Sequence, residues 1–198
     1  MKEVPDSMDM GGGRTLRPVR LGEVGLLRGL IVEAIDASPY YNDDFKASEK
    51  SRLSENFLRA LIVAHPWYVS FVLFKSEIAG FVLLIPDQGI LWASWIYVRD
   101  KFRRTAAAVT SVGALVRYWD NGPFHKVVSL IRPENTTAAA VLLRYGFTQN
   151  TLMKNHFFGE DYLLLERPFN KTEPGYPAFS MIGRLGSMRL RLKGFLGG

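Results

Sequence analysis

The chain of 198 residues has no cysteine, which excludes disulfides, thiolate metal sites and a cysteine nucleophile together. No uncharged apolar run reaches the roughly 18–20 residues that a membrane-spanning helix needs, so no transmembrane segment is expected. The three histidines, His65, His125 and His156, stand far apart, and no His/Asp/Glu set has metal-ligand spacing, so no metal site is expected either. A Walker-type phosphate loop, a dinucleotide-binding glycine pattern and a nucleophile elbow are also missing. The first residues, MKEVPDSMDMGGGR, carry acids and no apolar centre, which argues against a secretory signal. What remains is a cytoplasmic globular protein, with 47% hydrophobic residues to build one main core.

Charge is unevenly placed. The formal net charge is +6, and from Arg167 onward six basic residues face a single acid, Glu173, so the body before them is nearly neutral. An argument about nucleic acid therefore applies to the tail alone. The run Arg189 to Lys193 (RLRLK) lacks the interleaved aromatics of a single-strand binder, so specific nucleic-acid binding is not expected.

Residues 1–13, with Pro5 and three consecutive glycines, read as a flexible arm. Leu16 to Val19 fits a short strand. Val24, Leu27, Ile31 and Ile35 recur at helical spacing, with Leu26, Leu30 and Ala34 widening the stripe, until Pro39 breaks the helix. Tyr40 and Tyr41, in the loop Ser38 to Asp44, either overlie a substrate site or cover an edge of the core. A second helix is expected from Ser48 through Leu61, closing before Pro66. The runs Trp67–Phe74, Ile78–Ile85 and Ile90–Val98 are joined by short polar turns and are expected to pair antiparallel. A helix from Ala106 to Trp119 follows, stopped by Asp120-Asn121-Gly122-Pro123. Then come a buried strand, Lys126 to Ile131, a helix from Asn135 to Arg144, and a closing hairpin around Gly159. In the last segment, 169–198, Met181, Leu185, Met188, Leu192 and Phe195 keep helical spacing despite several glycines. Residues 179–196 thus read as a basic amphipathic tail that orders on a protein partner or an anionic surface.

Two stretches carry chemistry. In Ile90 to Trp119 an apolar strand runs into an alanine-rich helix through Arg103-Arg104-Thr105-Ala106-Ala107-Ala108. Backbone N–H groups at such a helix start, with the dipole behind them, receive phosphate. Ser129 to Phe147 repeats the grammar, with Asn135, Ala138, Val141, Leu142, Arg144, Gly146 and Phe147 in a spaced pattern. Together with the element order, these stretches resemble the acyl-CoA-binding half of the GNAT superfamily of N-acetyltransferases, over about residues 14–168. The resemblance implies an α/β fold, a GNAT-type mixed and strongly twisted sheet with helices on both faces.

It also implies that acetyl-CoA or another acyl-CoA is the cofactor. Arg103, Arg104, Thr105, Ala106, Ala107 and Ala108 would hold its pyrophosphate, and the backbone of Ile96, Tyr97 and Val98 its pantetheine. Asn135 either lies against the pantetheine arm or is a plain helix cap. Arg103 fills the first position of the family's phosphate signature and Ala108 the last, while Ala106 replaces the middle glycine. Its Cβ is either tolerated or obstructs the pyrophosphate. Leu142 stands where many relatives carry the tyrosine that protonates the departing thiolate. Tyr145, about 60° further round the helix, is expected to pack. The strand segment Trp92 to Tyr97 has no carboxylate where relatives often place a base, so no catalytic residue is assigned.

Two functions fit. One is an acyl-CoA-dependent N-acyltransferase, moving an acetyl group to an unidentified amine largely by positioning the reactants. The other is a catalytically degenerate relative that serves as a structural or binding component of a larger assembly such as a phage virion. There, the arm 1–13 and the tail 169–198 would make the contacts around the body 14–168.

Overall fold

The computed structural model of the chain describes residues 4–177; the expected amphipathic tail, 179–196, lies outside the described residues. Alternating apolar residues build one mixed sheet of eight strands. They are β1 (Met8–Gly11), β2 (Arg14–Pro18), β3 (Val69–Phe74), β4 (Glu77–Asp87), β5 (Ile90–Val98), β6 (Lys126–Ile131), β7 (Thr148–Phe157) and β8 (Glu160–Pro168). Their spatial order is β1-β2-β3-β4-β5-β6-β8-β7. The expected antiparallel meander through β3, β4 and β5 is present, and among the described residues only β5 and β6 run parallel. Among the described residues five α-helices cover the sheet: α1 (Val24–Ala37), α2 (Asp43–Arg52), α3 (Glu55–Ala64), α4 (Ala107–Trp119) and α5 (Thr136–Arg144).

The stripe on α1 buries Val24, Leu27, Leu30, Ile31, Ala34 and Ile35. Each fully buried Leu or Ile contributes about 1.5–3 kcal/mol of transfer free energy. Leu26, expected to widen that stripe, is instead 52% exposed. Side chains of β5 divide between the two faces. Trp95 and Tyr97 reach α2 and α1, whereas Leu91, Ala93 and Ile96 line a small apolar cavity with Val112 of α4 and Leu142 of α5.

Three expectations are corrected. The arm 1–13 is not a loose arm throughout, because Met8–Gly11 pairs antiparallel with β2. Met8 and Met10 pack against the core, and Gly11, Gly12 and Gly13 all take positive φ to close the hairpin. The single helix expected from Ser48 is two helices. Leu53 leaves helical geometry and the Ser54 side chain caps α3 by accepting from the Phe57 N–H. Apolar spacing ran through that break without a change of phase, which concealed it. Finally, residues 169–177 are not separate from the body. Phe169 is buried, its N–H donates to His125 O at 2.9 Å, and the Asn170 N–H donates to Asp120 Oδ1 at 2.8 Å.

The topology opens a wedge. β5 and β6 are paired only from Ile90, Leu91 and Trp92 to Lys126, Val127 and Val128. Ser129 Oγ then donates to Ala93 O at 3.1 Å. Beyond that tie β5 pairs with β4 and β6 with β8, which leaves the inner edges of both strands facing a gap. Both strands feed their helices, α4 and α5, at this same end. A β-bulge adds to the parting: Leu83 faces Trp95 and Leu84 faces Ala93, so Ser94 is the extra residue.

Candidate functional site

At the carboxyl end of β5 the chain makes a 3-10 turn, Asp100–Thr105, and enters α4 through Ala106. Ala106 has φ 57° and ψ 16°, the left-handed region. A right-handed residue followed by a left-handed one turns successive N–H groups toward one concave side, the nest that receives anions. The first turn of α4 adds N–H groups with no intrahelical acceptor. A turn of this geometry can receive an anion through its backbone N–H groups. The alanine adopts the conformation that glycine takes freely, and for a residue with a Cβ this costs roughly 1–2 kcal/mol. Ala106 is exposed, Ala107 buried and Ala108 half-buried.

Side-chain charge surrounds the turn. Arg103 pairs with Asp100 at 2.6 Å, and Arg104 is exposed with no ion pair among the described residues. Thr105 Oγ1 donates to Phe102 O at 2.6 Å. Arg14 of β2 donates from Nη1 to the Thr105 carbonyl at 3.0 Å.

The other expected cofactor residues lie at the wedge. Ile96 lines the apolar cavity between β5, α4 and α5, and Val98 is buried. The Tyr97 side chain leaves the wedge for the opposite face, where its hydroxyl donates to Glu33 Oε1 at 2.9 Å. Burial first, and then the Glu33 carboxylate, push this phenol up to about 12. Arg99 pairs with the same carboxylate at 2.9 Å and holds it below the usual range. Asn135 is the cap of α5, its Oδ1 accepting from the Ala138 N–H at 3.1 Å. Next to it an open groove runs between α4 and α5, lined by Val109, Thr136, Thr137, Ala140, Val141 and Arg144. The turn, the open edge of β5 and this groove thus meet where the two helices begin.

On the opposite face the fold supplies a carboxylate that β5 itself lacks. Glu49 of α2 is 6% exposed and accepts from Trp95 Nε1 at 2.7 Å, one residue past the bulge. Arg52 grips it from Nε at 2.8 Å, and its Nη2 also donates to Ser94 Oγ at 3.3 Å. Tyr41 stacks on Phe45 with ring centroids 4.2 Å apart and meets Trp95 edge-on at 5.7 Å. So the loop tyrosine packs at the bulge. Tyr162 is also buried there, near the Arg132 guanidinium, and burial pushes its phenol up to about 12. Glu49 escaped sequence reasoning because only folding brings position 49 to position 95. Its one local signal was an acid three residues before Arg52, which reads equally as a surface pair.

Leu142, at the position of the missing tyrosine, is 3% exposed and faces the apolar cavity of about 20 Å³. Tyr145 packs as expected: a Cβ on Gly113 would lie 2.5 Å from its ring, so the phenol occupies the space a side chain on α4 would need. Gly146 takes φ 79° and Phe147 is buried, the left-handed helix exit and core plug read from the motif. Of the histidines, burial pushes the His65 imidazole below its ordinary value and its Nδ1 accepts from the Trp67 N–H at 3.2 Å, while His125, just before β6, and His156, on β7, are exposed. No three His, Asp or Glu side chains gather to hold a metal ion among the described residues.

By sequence, no family model and no curated relative matches the chain. By structure it is similar to RimL, an alpha-N-acetyltransferase of a ribosomal protein, solved with coenzyme A. The two share 17% identity over 84% of this chain and 99% of that one, with a TM-score of 0.67. The microcin self-immunity acetyltransferase MccE, solved with acetyl-CoA and AMP, matches at 16% identity over 84% and 98% of the two chains, with a TM-score of 0.61. A GNAT-family acetyltransferase from Bacillus cereus matches at 16% identity over 80% and 99%, with a TM-score of 0.60. At such identities the likeness lies in the arrangement of the backbone: the chain has the fold of the GNAT acetyltransferases.

Proposed function

We propose that the protein transfers an acyl group from acyl-CoA, with acetyl-CoA as the first candidate, to the nitrogen of an amine. One observation carries the reading: a left-handed, anion-receiving turn at Ala106 stands at the end of a strand whose edge toward β6 is open. In parallel sheets, ligands bind beyond the carboxyl ends of the strands, where neighbouring strands part. Arg103 to Ala108 would hold the pyrophosphate and the backbone of Ile96 to Val98 the pantetheine, with Asn135 and the groove beside α5 flanking it. Acyl-CoA supplies the thioester carbonyl. The amine nitrogen forms the new C–N bond, the C–S bond breaks, the nitrogen gives up a proton and the thiolate regains one. The amine would approach from the α2 face, where Glu49 stands at the bulge in place of a strand glutamate. With Leu142 offering no proton, the thiolate takes its proton from solvent, and positioning supplies most of the rate.

Likeness to acetyltransferases supports this reading over a structural module. No helix among the described residues is long and apolar enough to cross a membrane, which is compatible with a cytoplasmic enzyme. The test is calorimetric titration of acetyl-CoA into the wild type and an Arg103→Ala/Arg104→Ala variant. The wild type should bind, and losing two charge-assisted phosphate contacts should weaken binding by at least about tenfold. Absence of binding at millimolar acetyl-CoA overturns the proposal.

A further inference from the structure

We propose that Arg14 is a positioning residue for the phosphate-receiving turn: by holding the Thr105 carbonyl it keeps the left-handed Ala106 in place and its amide directed at the anion. The proposal rests on the acyl-CoA reading. Arg14 opens β2, and the Gly11–Gly13 turn carries its guanidinium to the start of α4. Nη1 donates to Thr105 O at 3.0 Å, across 91 positions of sequence. Nε donates to Gly11 O at 2.7 Å. Because the guanidinium is planar and rigid, fixing Nε on the hairpin aims Nη1 at the turn. Gly12 leaves the room this needs, since a Cβ there would lie 2.7 Å from Arg14 Nη2.

The Thr105–Ala106 peptide is trans, and in a trans peptide unit the C=O and N–H point in opposite directions. Holding the carbonyl toward Arg14 sends the Ala106 N–H to the other side, where the nest opens. A non-glycine residue persists in the left-handed region only when its surroundings over-determine it. Thr105 Oγ1, bonded to Phe102 O, braces the turn from within, and Arg14 braces it from the neighbouring hairpin. With glycine at position 106, as in the family's signature, the backbone would need no such brace. The arginine and the alanine are therefore coupled, and the first hairpin, remote in sequence, belongs to the cofactor site.

The test titrates acetyl-CoA calorimetrically into four full-length proteins: wild type, Arg14→Ala, Ala106→Gly and the double variant. Removing one brace from a strained turn should weaken binding about tenfold with Ala106 present. In the A106G background the same change should weaken it by less than about threefold, since glycine removes the strain. Equal losses in both backgrounds overturn the proposal, because they mark Arg14 as a direct phosphate contact. No loss in either background overturns it too. Should the wild type bind no acetyl-CoA, the enzymatic reading fails, and the melting temperatures of the four proteins then decide the brace. R14A must lower the melting temperature more with Ala106 than with A106G; equal lowering overturns the coupling.

Discussion

At the scale of single residues, position 49 places a carboxylate beside a strand segment that has none. β5 presents Ser94, Trp95 and Tyr97 at the bulge, none of them a base near neutral pH. The carboxylate arrives from α2, buried and hydrogen-bonded to the Trp95 indole. Arg52 and the Trp95 indole donate to its two oxygens. Glu49→Gln keeps the size and most of these contacts while removing the charge. It should slow transfer by about 10²-fold, as loss of a general base does, and leave acetyl-CoA affinity unchanged. Release of CoA thiol with an amine accepted by the wild type measures the first, and calorimetry the second. Unchanged transfer would assign Glu49 to packing alone.

Among elements, α1 is held to the sheet by its buried stripe and by a short polar link at its start. Arg17 of β2 grips Glu23, just before α1, at 2.7 Å, and Glu23 also accepts the Arg20 N–H at 3.0 Å. The Arg17 hydrogen bond is the main reason the carboxyl of Glu23 is held at about 2, down from 4.5. A lowered carboxyl pKa stabilises the folded state above the unfolded value and loses that contribution as the pH falls through the folded value. The wild type should therefore lose stability from this group between pH 4.5 and pH 2. Glu23→Gln should be less stable near neutral pH and show a shallower decline over that window. Melting temperature against pH reads the difference, and parallel curves would remove the Arg17 link from the account. The α4–α5 contact follows a different logic, in which Gly113 gives way to the ring of Tyr145.

For the whole molecule, the end of the described chain matters more than its composition suggested. After β8 the chain turns back over the end of α4. Arg167 and the Asn170 N–H meet Asp120, Thr172 and Glu173 donate to Gly122 O, and Phe169 closes the cavity lined by Leu91, Leu115 and Leu142. Phe169→Ala should cost about 3–5 kcal/mol, the usual penalty for emptying a buried aromatic site. Urea unfolding measures it. A loss under about 1 kcal/mol would show that residues 169–177 are dispensable to the core.

Most of the order of strands and helices, the meander, the strand-to-helix passage at 103–108 and the Gly146-Phe147 exit were legible because each depends on local periodicity or on one turn residue. Those signals lie within about a dozen neighbouring positions. Pattern alone also read the first hairpin as an arm and α2–α3 as one helix. Met8 and Met10 owe their burial to a partner strand, and the break at Leu53–Ser54 leaves the apolar phase unchanged. Tertiary structure decided the left-handed state of Ala106, its tie to Arg14, and the arrival of Glu49 beside Trp95. These link residues tens of positions apart, and such contacts leave no trace in a single sequence because their free energy exists only after the chain has closed on itself.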